Sequence, residues 1–336
     1  MVNLPAPRTP DPMAAPPLRW GILAPGAIAG LFVEALGRST RQRVVAVGSR
    51  SAERARAFAE RWGIERAHDS YEALVSDPEV DVVYVASPHS HHREHALLAI
   101  AAGRHVLVEK SFTRTAAEAR EVVDAARAAG VACLEAMWTR FLPRTDIVRQ
   151  VLADGLLGEV ETFLGDHGQR FTVDQASRLL APELAGGALL DLGVYPVSYA
   201  SFVLGTPSRV TARGTLAATG VDRQVSAVFE YASGATALVT TTMAARTPTT
   251  ASISGREARL ELDGDFYMPG TVRLVTHDGR VVESARPAIE GHAGLCFEAA
   301  HLAHLVADGA TESPLLPLDE TLAVMATMDE MRSHLG

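Results

Sequence analysis

Four histidines stand within seven residues, at His89, His91, His92 and His95. His91 and His95 have the i,i+4 spacing that sets two imidazoles on one helix face, as in helical zinc sites. The residues around them offer no convincing cysteine or carboxylate set to complete a coordination shell. No metal is therefore expected, and His91 and His95 are expected to face solvent. A second chemistry is proton transfer. Asp191 and Tyr195 are four apart, so a helix would carry both on one face. A tyrosine moves a proton on or off a substrate oxygen more readily when a cation lowers its pKa from about 10. Glu109-Lys110, at the end of a short apolar run, supplies such a cation.

A third pattern concerns phosphate. Ala24-Pro25-Gly26-Ala27-Ile28-Ala29 follows the apolar run Leu18–Leu23 and opens a segment of helical spacing, Ala27–Leu36. In a G-x-G-x-x-G/A dinucleotide turn, glycines let backbone N–H groups meet a pyrophosphate at a helix N-terminus. Here the slots hold Ala24, Gly26 and Ala29, a degenerate match, with Ala27 and Ile28 on the same turn. The next strand, Arg43–Ser49, ends in Ser49-Arg50. An acidic residue at this place binds a ribose 2′-hydroxyl, whereas arginine suits a 2′-phosphate. NADP is therefore the expected cofactor, with NAD possible.

The surrounding elements must hold these groups together. Ser51 reads as the N-cap of a helix over Ala52–Trp62. Val80–Ala86 is almost wholly apolar, as a strand buried on both faces should be. Arg93–Ala102 and Ala116–Ala129 are helices stopped by Gly103 and Gly130, and His105–Val108 and Val131–Glu135 are short strands. Alternation of strand and helix implies a doubly wound parallel sheet, which binds ligands beyond its strands' carboxyl ends. Ala24–Ala29, Ser49-Arg50, Ser87–His92 and Glu109-Lys110 all lie at such ends. After Pro143 the pattern changes. Helices are expected over Thr145–Ala153 and Gly187–Leu204, with a strand near Val160–Gly168 between them. From Arg209 to Thr276 successive strands turn at Ser233-Gly234, Asp263-Gly264 and Asp278-Gly279, implying a largely antiparallel sheet. Two helices, Leu295–Ala307 and Asp319–His334, finish the chain.

The expected fold class is therefore α/β, with an N-terminal Rossmann sheet and a C-terminal α+β domain. The expected domains are residues 18–140 for the dinucleotide and 141–336 for substrate and oligomerisation, the last helix packing back on the first domain. The first 17 residues hold six prolines and no apolar stretch, and read as a disordered leader. At 336 residues and 47% hydrophobic, the chain can fill two cores. Its charge of −9 disfavours nucleic-acid or anionic-membrane binding. The two cysteines, Cys133 and Cys296, lie in apolar stretches and read as core residues in a reducing compartment. No run reaches the roughly 20 apolar residues of a membrane span, and a cytoplasmic protein is expected.

These pieces together resemble the Gfo/Idh/MocA oxidoreductases, in the subgroup of dihydrodiol and NADP-dependent xylose dehydrogenases. The resemblance runs through Trp20–Leu23, Ser87-Pro88-His89 with His92, Ala102–Lys110 and Glu135–Phe141. It continues through Gly186–Pro196 and Glu312–Glu320. It departs at Ala24, where the family has glycine, and at Ser111, where the family's Glu-Lys-Pro has proline. The resemblance implies that Tyr195 is the general acid/base, assisted by Lys110, which also reaches substrate oxygen or ribose. It implies that Glu109 contacts ribose or supports Lys110, and that Pro88 and His89 line the nicotinamide pocket near Ser87 and His92. Asp191 would orient Tyr195 or a substrate hydroxyl. Trp138, Arg140 and His167 are candidate substrate contacts, with His167 a second candidate acid/base. Specificity is expected to depend on loops around Trp138, 167–178 and Tyr267.

The function expected is hydride exchange between nicotinamide and a sugar, polyol or cyclic diol, in a homodimer or higher oligomer whose interface is the open face of the second sheet. Two alternatives remain at this stage. One is a redox-neutral lyase or glycosidase using bound NAD; the other is a non-catalytic nucleotide sensor.

Overall fold

A computed structural model describes residues 3–172 and 178–335 of the chain. They fall into two units. One comprises Pro10–Trp138 with Gly291–Leu322, the other Met1–Thr9, Thr139–Glu290 and Ala323–Gly336.

The nucleotide unit alternates β1 (Arg19–Leu23), α1 (Ala27–Ser39), β2 (Arg43–Gly48), α2 (Ala52–Trp62), β3 (Arg66–His68), α3 (Tyr71–Ser76), β4 (Val82–Val85), α4 (His92–Ala101), β5 (His105–Glu109), α5 (Ala116–Ala129) and β6 (Cys133–Ala136). The strands are ordered β3-β2-β1-β4-β5-β6 and every pairing is parallel. This is the doubly wound fold expected. The order reverses between β1 and β4, so ligand space opens beyond their carboxyl ends. β4 is buried at all four residues, which its unbroken Val-Val-Tyr-Val requires. Local chemistry sets the helix ends: Ser51 and Thr115 cap α2 and α5 through their side chains, and Gly63 and Gly130 end them in the left-handed region. From residues 291–322 this unit takes α8 (Cys296–Ala307) and the start of α9 (Leu318–Ser333).

The proline-rich segment read as a disordered leader is ordered over residues 3–17. Asp11 caps a short turn at Pro12–Ala14, and Pro16 O accepts from the Gln42 amide at 2.8 Å. Ala15 is buried against Ala300 and Ala303 of α8. Proline composition argued against a core of its own, and this segment instead uses an existing one.

The second unit holds α6 (Pro143–Ala153), β7 (Val160–Gly168), a π-helical turn at Leu189–Gly193, α7 (Val194–Leu204) and seven further strands. These are β8 (Arg209–Leu216), β9 (Asp222–Glu230), β10 (Thr236–Thr242), β11 (Ala251–Gly255), β12 (Ala258–Leu262), β13 (Arg273–Thr276) and β14 (Val281–Glu283). The sheet runs β14-β13-β12-β11-β7-β10-β9-β8. Its pairs are antiparallel except β7 with β10. The stretch Pro182–Leu204 is long and apolar, but most of it is buried inside the protein, as a core helix is.

Candidate functional site

In the nucleotide unit, Ala24 sits at φ 73°, and its N–H donates to Gly48 O at 3.1 Å. A Cβ in this left-handed region costs about 1 kcal/mol, which is why glycine is favoured there. Gly26 is exposed, and a Cβ added to it would meet nothing within 4 Å. Among the described residues no side chain caps α1. Its first N–H groups, including those of Ala27 and Ile28, therefore open to the strand-end space, an arrangement that fits a pyrophosphate. Ser49 is buried and its hydroxyl accepts from Ser51 N at 3.2 Å. Arg50 is exposed just before α2. Arg54, one turn further on, donates to Pro25 O at 3.4 Å. Sequence reasoning passed over this second cation, although its spacing from the Ser51 cap aims it back at the turn.

Beyond β4 and β5 the histidines join two loops. His89 Nε2 lies 3.2 Å from Lys110 O, while His92 reaches Ser111 O at 2.8 Å and Ser87 O at 2.7 Å. The Lys110–Ser111 peptide is cis. Two carbonyl partners for His92 call for a proton on each nitrogen, yet burial pulls its pKa down to about 4. Burial is the larger effect, so the ring is neutral and one contact at a time is a full hydrogen bond. With both nitrogens on backbone carbonyls, His92 clasps the loops. Pro88 is half-buried beside them. Glu109 is buried, accepting from the Tyr84 hydroxyl and, at 3.1 Å, from Lys110 N. Lys110 is half-buried. His95 is not solvent-facing as expected: it is buried, with its edge on Tyr71 and Nδ1 2.9 Å from Ser87 Oγ.

In the second unit, Tyr195, His167 and Tyr267 form one aromatic cluster. Ring centroids are 5.3 Å apart for His167 and Tyr195, 4.7 Å for Tyr195 and Tyr267, and 4.5 Å for His167 and Tyr267. The Gln169 amide lies 3.0 Å from His167 Nε2 and 3.3 Å from the Tyr267 hydroxyl. Burial, then the Asp265 charge, pushes Tyr267 up to about 12, so it stays protonated. Asp191 is buried, and Arg178 reaches it at 3.1 Å. It lies in the π turn rather than in a regular helix, so the i,i+4 relation to Tyr195 runs through a widened turn. Asp222 of β9 holds that turn, accepting from Leu189 N at 2.6 Å. A Cβ at Gly187 would come within 2.2 Å of the Asp222 carboxylate, which accounts for the glycine. Gln169 and Tyr267 lie in the segments expected to tune specificity, and the structure brings both against His167. Residues 173–177 of the loop expected to tune specificity lie outside the described residues.

Two expected substrate contacts pack on other side chains. Trp138 stacks on His292 at 5.8 Å within the nucleotide unit. Arg140 is buried with its guanidinium over Phe202 and 3.4 Å from Ser198 O, both on α7.

Comparison with known proteins matches residues 18–137 to a model described as an oxidoreductase family with an NAD-binding Rossmann fold, and residues 146–261 to the GFO/IDH/MocA C-terminal domain. Trans-1,2-dihydrobenzene-1,2-diol dehydrogenase of Macaca fascicularis is 36% identical over 330 residues, 95% of this chain and 97% of that protein. The Homo sapiens enzyme of that name is 35% identical over the same shares. Among solved structures, a 3-ketoreductase from Actinomadura kijaniata in complex with NADP and TDP-benzene is 27% identical, with a TM-score of 0.83, covering 95% of this chain and 98% of that one. Solved forms of that reductase include a lysine-to-alanine and a tyrosine-to-phenylalanine variant. A levoglucosan dehydrogenase in complex with NADH and levoglucosan shares the fold, with a TM-score of 0.86 at 21% identity over 95% and 97% of the two chains. The chain therefore belongs to the Gfo/Idh/MocA family of oxidoreductases and is an NAD(P)-dependent enzyme whose first unit is the family's NAD-binding Rossmann fold.

Proposed function

We propose that the protein is an NADP-preferring dehydrogenase or reductase of sugars, polyols or cyclic diols, with Tyr195 as its acid/base. The observation that carries this reading is the second unit's cluster, in which a buried tyrosine stands among His167, Tyr267 and Gln169. The dehydrogenase and reductase relatives support the substrate class, and Arg50 with Arg54 near the turn supports NADP.

A bound nicotinamide dinucleotide would supply the hydride chemistry at the substrate carbon. Tyr195 gives a proton to the carbonyl oxygen on reduction and takes it from the hydroxyl on oxidation, so each turnover moves one hydride and one proton. Lys110 orients substrate oxygen or ribose. Asp191, itself held by Arg178, orients a substrate hydroxyl. The backbone N–H groups of Gly26, Ala27 and Ile28 would hold pyrophosphate, Ser49 and Arg50 would hold the 2′-phosphate, and Glu109 supports Lys110. Ser87, Pro88 and His89 shape the nicotinamide pocket, with His92 clasping its loops.

The test is Tyr195→Phe. Turnover on the best substrate of a polyol and aldose panel should fall by about 10²–10⁴-fold, while the Kd for NADP stays within about two-fold. Turnover near the wild-type rate would remove Tyr195 from its role. Product formed without net change in nicotinamide absorbance would point to redox-neutral chemistry.

We further propose a homodimer through the exposed face of the second sheet and a cytoplasmic location. The free, buried Cys133 and Cys296 support a reducing compartment.

A further inference from the structure

We propose that His91, Glu94 and His95 bind one divalent transition-metal ion of the zinc class at the start of α4. Each residue offers a ligand atom within 4.8 Å of the other two. Their i, i+3, i+4 spacing places them on one turn, and the His91 and His95 rings stack at 5.4 Å. Glu94 is the carboxylate that the sequence reading did not recognise as a partner. Its Oε2 lies 3.7 Å from His91 Nδ1.

His95 is the anchor. It is 6% exposed, packs on Tyr71, and has its Nδ1 engaged by the Ser87 hydroxyl at 2.9 Å. This is the outer bond that orients a ligating imidazole and leaves Nε2 for the ion. Arg50, His91 and His92 are the ionisable groups that act on this imidazole. Zn–N bonds of about 2.0–2.1 Å require the ligand atoms to draw roughly 1.5 Å closer. Glu94 and His91, with side chains 74% and 32% exposed, are free to supply that movement. Arg50 works against the ion and the Glu94 carboxylate offsets it. Two imidazoles and one carboxylate suit zinc, cobalt, nickel or copper rather than magnesium or calcium, which prefer all-oxygen shells. One position remains for water.

The experiment titrates chelator-stripped full-length protein with Zn²⁺ alone by calorimetry near neutral pH. The expected result is one ion per chain, lost in His91→Ala and weakened at least about ten-fold, or about 1.4 kcal/mol, in Glu94→Gln. Co²⁺ in its place should give a visible ligand-field band that His91→Ala abolishes. Circular dichroism and melting of the metal-free variants should match wild type, because neither side chain is in the core. No bound ion in the wild type, or undiminished affinity in His91→Ala, overturns the proposal.

Discussion

At the level of one side chain, the proposed NADP preference rests on Arg50. It is exposed, directly follows β2 and precedes the Ser51 cap of α2. A guanidinium there adds a charge-assisted bond to a 2′-phosphate and nothing comparable to a 2′-hydroxyl. Arg50→Ala is expected to raise KM for NADP by about ten-fold or more, or about 1.4 kcal/mol, and to leave KM for NAD within about two-fold. Steady-state kinetics with each nucleotide check this; equal losses with both would place the 2′-phosphate elsewhere. The candidate residues Ala24, Gly26, Arg50, Lys110 and Tyr195 were legible because each belongs to a contiguous motif. Arg54 and the burial of His95 were not: Arg54 reaches Pro25 O and His95 packs on Tyr71, contacts that no contiguous motif spans.

At the level of elements, apolar periodicity located most strands and helices but missed β3 and α3. β3 is three residues, Arg-Ala-His, at the sheet edge, with no fully buried position. The hydrophobic pattern has nothing to mark there. Periodicity also places a helix at α8 without weighing Glu298 within it. Glu298 is fully buried, and neither carboxylate oxygen has a hydrogen-bond partner among the described residues. Burial, reinforced by Glu109 and Glu135, holds its pKa well above the ordinary glutamate value. The folded protein therefore keeps this proton where the unfolded chain releases it. Above the unfolded pKa of about 4.3, that release favours the unfolded state, and stability falls as pH rises toward the folded pKa. Glu298→Gln keeps the shape without an ionisable proton. It should melt at least about 2 °C above wild type at pH 7, the shift that about 1 kcal/mol produces in domains of this size. The two should coincide near pH 4. Thermal melts at both pH values check this, and a gain of equal size at each would show that ionisation is not its cause.

At the scale of the whole molecule, the sequence places domains at 18–140 and 141–336 with the last helix packing back on the first, and in the structure the unit begun at Pro10 takes residues 291–322 from the C-terminal end. The sequence also led us to expect that one face of the second sheet would need a cover. On that face Leu238 of β10 pairs in register with Leu164 of β7 and Val228 of β9. The three are 45%, 46% and 39% exposed, a continuous apolar row on three adjoining strands. Polar positions flank it, Ser226 bonding Thr240 at 2.8 Å on one side. A sheet face meant for water carries polar residues along the whole strand, so a row of this kind calls for a partner. A second copy using the same face satisfies two-fold symmetry, with each Leu238 row meeting its equivalent. Leu238→Lys places a charge at the centre of that contact, where burial without a counter-ion costs most. The side chain already faces outward, so the fold of each copy should survive. Light scattering at micromolar concentration should give a dimer for the wild type and a monomer for Leu238→Lys, with unchanged circular dichroism. Melting of the wild type alone should rise with protein concentration, since only the associated form gains from mass action. A variant that keeps the wild-type mass in solution would show that this face is not where the copies meet.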